Sequence, residues 1–127
     1  KEAFETQSIT LRSSGKQLRD FVYINHLNQF LLSLIQSFST HKNTIVNCAS
    51  GISRSIFDIA NITKTIYEAK FQKTCQLTIL SNEPTQAMPL NFSTVDTRPV
   101  FKQSDDSIDE AIDSIFDLLS TQKSLEN

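Results

Sequence analysis

Two hydrophobic rhythms alternate along this chain. Residues 8–12 run polar, apolar, polar, apolar, with Ile9 and Leu11 on one side, the period of a half-buried strand. Phe21, Val22, Tyr23 and Ile24 are β-branched or aromatic and flanked by polar residues, so they also read as strand. The turn-forming run Ser13-Ser14-Gly15-Lys16 between them predicts a hairpin that pairs the first strand with the one entered at Arg19. From Asn25 the period changes to three and four. Leu27, Phe30, Leu31, Leu34, Ile35 and Phe38 form one apolar stripe, predicting an amphipathic helix with Asn25 as its N-cap.

The alternation continues. Residues 44–48 form a second apolar strand, and Ser50-Gly51-Ile52-Ser53-Arg54 turns sharply into a helix. Ser55 and Asp58 have the spacing of a capping box at its start, and Ile56, Ile59, Ala60, Thr63, Ile66 and Tyr67 line its inner face. Residues 75–80 make a third strand through Leu77, Ile79 and Leu80, followed by a loop over 81–91 with Pro84 and Pro89. Residues 92–103 fit no template. Ser107 and Glu110 then open a helix whose core face is Ile108, Ala111, Ile112, Ile115, Phe116 and Leu119. Its early acidic residues, Asp109, Glu110 and Asp113, suit the positive end of a helix. The prediction is one α/β or α+β domain over residues 1–127: a small mixed sheet of short strands with three main helices.

Composition narrows the possibilities. A net charge of −2 over 127 residues offers no basic field for nucleic acid or anionic lipid. No apolar run approaches the roughly 20 residues that span a bilayer, and the first residues lack a signal-peptide layout, so a soluble, cytoplasmic chain is expected without a membrane partner. Cys48 and Cys75 sit in apolar surroundings and are expected to be free buried thiols rather than a bridge. His26 and His41 have no ligand spacing to the cysteines or to a carboxylate pair, and no metal site is expected. With two glycines in the chain, Gly15 is expected at a turn that other residues cannot make.

Three blocks carry chemistry: "ITLRSSGKQLRDFVYINHL", "IVNCASGISRSIFDIANI" and "SIDEAIDSI". In this order they resemble the C-terminal, substrate-binding part of the NAD-dependent epimerase/dehydratase family, the extended short-chain dehydrogenases that modify nucleotide sugars. Gly15, Arg19-Asp20-Phe21, Asn47, Ser50-Gly51 and Ser55-Ile56 fall on the family's pattern. The resemblance implies a nucleotide-diphosphate sugar as partner, with Arg19 on its diphosphate, where a guanidinium's planar fork suits the ligand. Asp20 is expected to accept backbone hydrogen bonds at the turn, and Ala49, Ser50 and Gly51 to shape the substrate cleft from a strand end. Ser13, Ser14 and Lys16 are candidates to lie near the same anion. Relatives are often dimers.

The resemblance also defines what the chain lacks. The family takes NAD or NADP on an N-terminal dinucleotide-binding domain with a glycine-rich turn, which Gly15 and Gly51 are too far apart to form. The family's Tyr-x-x-x-Lys pair is missing, since Leu27 follows Tyr23 at the fourth position and Phe71 follows Tyr67. His26 stands where the family has Asp, and Arg98 is out of register with its second arginine. No cofactor and no catalytic residue are expected in this chain, which alone should not turn over a sugar.

A second reading uses the same central block. Cys48-Ala49-Ser50-Gly51-Ile52-Ser53-Arg54-Ser55 fits the Cys-x5-Arg-Ser loop of tyrosine and dual-specificity phosphatases. Cys48 would be the thiolate nucleophile, Arg54 the phosphate clamp and Asp20 the general acid. Asn47 stands where those enzymes have His, and only forty-seven residues precede the cysteine. A third possibility is a non-catalytic interaction module whose helices pack on a partner, with excess apolar surface on one face.

Overall fold

Ring packing between helices organises the molecule. The computed structural model describes residues 1–37, 39, 48–80 and 107–126. Within them the order is α1 (Glu2–Thr6), β1 (Ser8–Leu11), β2 (Leu18–Asp20), α2 (Ile24–Gln36), β3 (Ser53–Ser55), α3 (Ile56–Phe71), β4 (Gln76–Ile79) and α4 (Ser107–Leu125). The expected α/β class holds, with three main helices, one short helix and few short strands. Ala3, Tyr67, Cys75 and Phe116 are the buried centre, flanked by Phe4, Ile9, Ile66, Phe71, Ile112 and Leu119. Phe71 meets Phe4 and Phe116 edge-on at 5.5 and 5.6 Å, and Tyr67 meets Phe116 at 5.7 Å, geometries that ring quadrupoles favour. Lys70 holds the same two helices from outside, with 2.7 Å contacts to both Asp113 and Asp117.

The predicted hairpin does not form. β1 pairs in parallel with β4, Ser8 opposite Gln76 through Leu11 opposite Ile79. β2 pairs antiparallel with β3, Leu18 opposite Ser55, Arg19 opposite Arg54 and Asp20 opposite Ser53. The reason lies at Gly15, whose φ of +70° carries the chain away from β1 and toward the start of α3. There its carbonyl accepts from Phe57 N at 2.9 Å, and the Gln17 carbonyl accepts from Ile56 N at 3.1 Å. The first N–H groups of a helix have no partner within it, and here the predicted turn supplies the acceptors. The capping box is present as expected: Ser55 Oγ accepts from Asp58 N at 3.0 Å while Asp58 Oδ2 accepts from Ser55 N at 3.1 Å.

Other boundaries move. Residues 21–23 are not strand; β2 ends at Asp20, and Tyr23 rather than Asn25 occupies the N-cap of α2, with no side-chain cap bond. Asn25 Nδ2 instead donates to the Tyr23 hydroxyl at 2.9 Å. β3 falls on Ser53-Arg54-Ser55, read above partly as turn; this polar run is strand because β2 offers it a ladder. The α4 helix begins at Ser107 as predicted, with Ile108 and Phe116 buried. Phe38, His41, Arg98, the strand residues before Cys48 including Asn47, and the segments 81–91 and 92–103 lie outside the described residues. No described helix is long and apolar enough to cross a membrane.

Candidate functional site

The β2–β3 ribbon and the turn before β3 bring the candidate residues together. Arg19 is exposed on β2, and its Nη1 donates to the Leu18 carbonyl at 2.7 Å, which uses one of the guanidinium's five donors. Asp20 reaches thirty residues along the chain: Oδ1 accepts from Ser50 N at 2.9 Å and Oδ2 from Gly51 N at 3.0 Å. Ser50 Oγ closes the turn by accepting from Ile52 N at 3.0 Å, and Gly51 takes φ +76°, a value that L side chains resist. Asp20 is thus a backbone anchor, as expected, but for the turn at 50–51 rather than the one at Gly15. No local sequence signal joins an aspartate to a turn that distant.

Ala49 is buried at 4% exposure, leaving Ser50 and Gly51 as the part of the turn that reaches solvent. Ser14 is buried, and Ser13 Oγ accepts from Gln17 Nε2 at 2.9 Å. Of the three residues expected near an anion, only Lys16 is exposed.

Within the Cys48–Arg54 segment, the main-chain donors of Ser50, Gly51 and Ile52 are engaged. Besides Ser50, Gly51 and Ile52, the α3 N–H groups of Ile56, Phe57 and Asp58 have protein acceptors. Arg54 stands on a strand, not on a phosphate loop. Burial pushes the Cys48 thiol up, and the Asp20 carboxylate adds to that shift. These conditions hold the sulfur protonated.

Both cysteines are free; Cys75 is fully buried and Cys48 half-buried. Burial also raises the Cys75 thiol, with Glu68 contributing, and Cys75 N donates to Glu68 Oε1 at 2.9 Å. A folded-state pKa above the unfolded value gives stability that is complete below the ordinary thiol range of about 8.5 and is lost as pH rises through the raised value. We expect stability to fall above about pH 8.5 for this reason. Iodoacetamide at pH 8 should label both thiols more slowly in the folded protein than in urea, Cys75 most slowly; equal rates would contradict the burial described.

The fold is one found in NAD-dependent enzymes that modify nucleotide sugars, as the resemblance implied. The chain is similar to an NAD-dependent NDP-hexosamine 5,6-dehydratase, with a TM-score of 0.66 and 19% identity, covering 94% of this chain and 38% of that one. It is similar to the UDP-N-acetylglucosamine 4-epimerase of Methanobrevibacter ruminantium in complex with UDP-N-acetylmuramic acid, at 0.66 and 20% identity over 91% of this chain and 35% of that one. A third likeness is to the UDP-glucuronic acid 4-epimerase of Bacillus cereus in complex with UDP-glucuronic acid and NAD, at 0.69 and 15% identity over 95% of this chain and 38% of that one. The chain therefore spans little more than a third of the length of these enzymes. No protein-family model matches it, and no curated protein does.

Proposed function

We propose that residues 1–127 are the nucleotide-sugar-binding part of an NAD- or NADP-dependent sugar epimerase, dehydratase or reductase, with Arg19 on the ligand's diphosphate. The observation that carries this is the agreement of fold over 91–95% of the chain with enzymes of that chemistry. The exposed Arg19 beside the anchored Ser50–Gly51 turn supports it. Among the described residues no dinucleotide cradle is formed: the two glycines serve separate turns, and the Tyr67 ring is buried at 3% in the core. The cofactor belongs to a dinucleotide-binding domain elsewhere in a longer protein. Surface apolarity is consistent with such a neighbour. Phe30 is the buried residue of α2, whereas Leu31, Leu32 and Ile35 on the same helix are exposed at 48, 59 and 71%.

The phosphatase reading ranks lower because its phosphate cradle is filled by Asp20 and its nucleophile is held as a thiol. Calorimetric titration of the native protein with UDP and UDP-sugars tests the ranking. Arg19→Ala should weaken binding by about tenfold or more, the scale of a charge-assisted contact, with thermal unfolding unchanged. Undiminished affinity would remove Arg19 from the site. An aryl-phosphate hydrolysis activity that vanishes in Cys48→Ser would put the phosphatase reading in its place.

A further inference from the structure

A cavity of about 350 Å³ opens where α1, the end of α3 and the end of α4 meet, and none of its lining belongs to the β2–β3 ribbon or the 50–51 turn. That volume falls within the roughly 300–1,000 Å³ of small-molecule sites. Phe4, Tyr67 and Phe71 make part of the wall aromatic, and both charged residues on the lining are lysines, Lys73 and Lys123. The chain as a whole carries a net charge of −2, so this is a local excess of the opposite sign. Tyr67 is the odd member. It is buried to 3% exposure, yet its hydroxyl has no hydrogen-bond partner among the described residues. The hydroxyl is not sealed off either; it opens on the space that the residue lines. Buried tyrosine hydroxyls normally find a partner, and one left unpaired costs stability.

The donors on the wall define what would satisfy it. Ser120 and Ser124 also line the cavity, but their hydroxyls donate to the Phe116 and Ser120 carbonyls at 2.8 and 2.9 Å. Tyr67 is therefore the lining hydroxyl that still has a proton to give. Lys73, two positions beyond the end of α3, has no ion-pair partner among the described residues. Lys123 Nζ stands 5.6 Å from the centre of the Phe4 ring, where it adds its charge without having to turn toward a ligand. The C-terminal ends of α3 and α4 bring partial negative charge, roughly half a unit each. Two full positive charges outweigh it, and at α3 the Glu68 and Ala69 carbonyls already accept from Gln72 N and Gln72 Nε2 at 3.0 and 2.7 Å. Aromatic walls favour a flat ring, through edge-to-face and offset contact. We propose that this cavity binds a small organic anion with a flat apolar body, an aryl monocarboxylate, whose ring lies against Phe4 and Phe71 and whose carboxylate accepts from the Tyr67 hydroxyl and the Lys73 ammonium. The site does not rest on the nucleotide-sugar reading, since it shares no residue with Arg19, Ser50 or Gly51.

The test titrates the native protein calorimetrically at low ionic strength, with benzoate, acetate and benzylamine as probes. Benzoate should bind, acetate about tenfold more weakly or worse for want of the ring, and benzylamine no better than acetate. Tyr67→Phe keeps the ring and removes only the hydroxyl. Its benzoate affinity should fall by about tenfold or more, the scale of a hydrogen bond to a charged group, with the unliganded melting temperature unchanged or raised. Lys73→Gln should lower that affinity by about two- to fivefold, the scale of an exposed ion pair, and added salt should weaken binding to the unaltered protein. Absence of benzoate binding by the unaltered protein overturns the proposal, as does undiminished affinity in Tyr67→Phe. Equal binding of acetate and benzoate reduces the site to ion pairing, equal binding of benzylamine and benzoate reduces it to an apolar slot, and either result overturns it. A lowered melting temperature in Tyr67→Phe gives the hydroxyl a structural role and overturns it as well. Should Tyr67→Phe not fold, undiminished benzoate affinity in Lys73→Gln does so.

Discussion

Replacing Gly15 with alanine is expected to lower the unfolding free energy by about 2–5 kcal/mol, summing a left-handed backbone cost of about 1–2 and overpacking of about 1–3. A Cβ built there would lie 2.9 Å from Leu11 Cδ1, 3.1 Å from Phe57 Cβ and 3.1 Å from Phe57 N. The leucine methyl can swing aside, but Phe57 N is backbone and already donates to the Gly15 carbonyl. Relief must come from moving the turn off the α3 N-terminus, which exposes helix donors that the turn now satisfies. Urea denaturation should show a lower midpoint with an unchanged slope. Asn tolerates the left-handed region better than Ala, so Gly15→Asn separates the two contributions: it escapes part of the backbone cost but not the contact. A fully stable Gly15→Ala protein would contradict both.

The second large effect is expected at Asp20. In Asp20→Asn one carboxylate oxygen becomes an amide that faces a backbone N–H, so one of the bonds to Ser50 and Gly51 is lost and the other loses its charge assistance. The loss should be about 2 kcal/mol, held below the sum of two charged bonds because water can reach exposed Gly51. A second readout separates this anchor from a general fault in packing. The Asp20 carboxylate is one of the two causes that raise the Cys48 thiol, so its removal should bring that thiol down toward the ordinary range and speed its alkylation, while Cys75 keeps its rate. Faster labelling of both thiols would instead indicate loosening of the fold.

Periodicity made α2, α3, α4 and β4 legible, because the apolar spacing of each is written locally; which stripe residues are buried was not, since Leu31, Ile35 and Ile115 are exposed at 48, 71 and 52%. The Ser55–Asp58 box was readable for the same reason, its partners lying three residues apart. The pairing of β1 was not readable. Ser13-Ser14-Gly15-Lys16 has hairpin composition, and only the distant Phe57 explains why Gly15 turns elsewhere. α1 is five residues long and gives no periodic signal, yet it contributes Ala3 to the buried centre. At the site, Arg19 and Asp20 stood out as a charged pair entering a strand. The direction of Asp20 toward Ser50 and Gly51 and the position of Arg54 opposite Arg19 depend on ladder register, which has no trace within either strand alone.

The parallel β1–β4 pair has a consequence for the order in which the molecule assembles. Ser8 meets Gln76, and the intervening chain includes all of α2, β3 and α3. Closing so long a loop costs entropy before any ladder bond is gained, so this pair cannot serve as an early local nucleus. The helices, whose contacts are near in sequence, are placed to form first. Among the described strands, β1 and β4 each wait for the other, which leaves both edges open to wrong partners until the helices between them have formed.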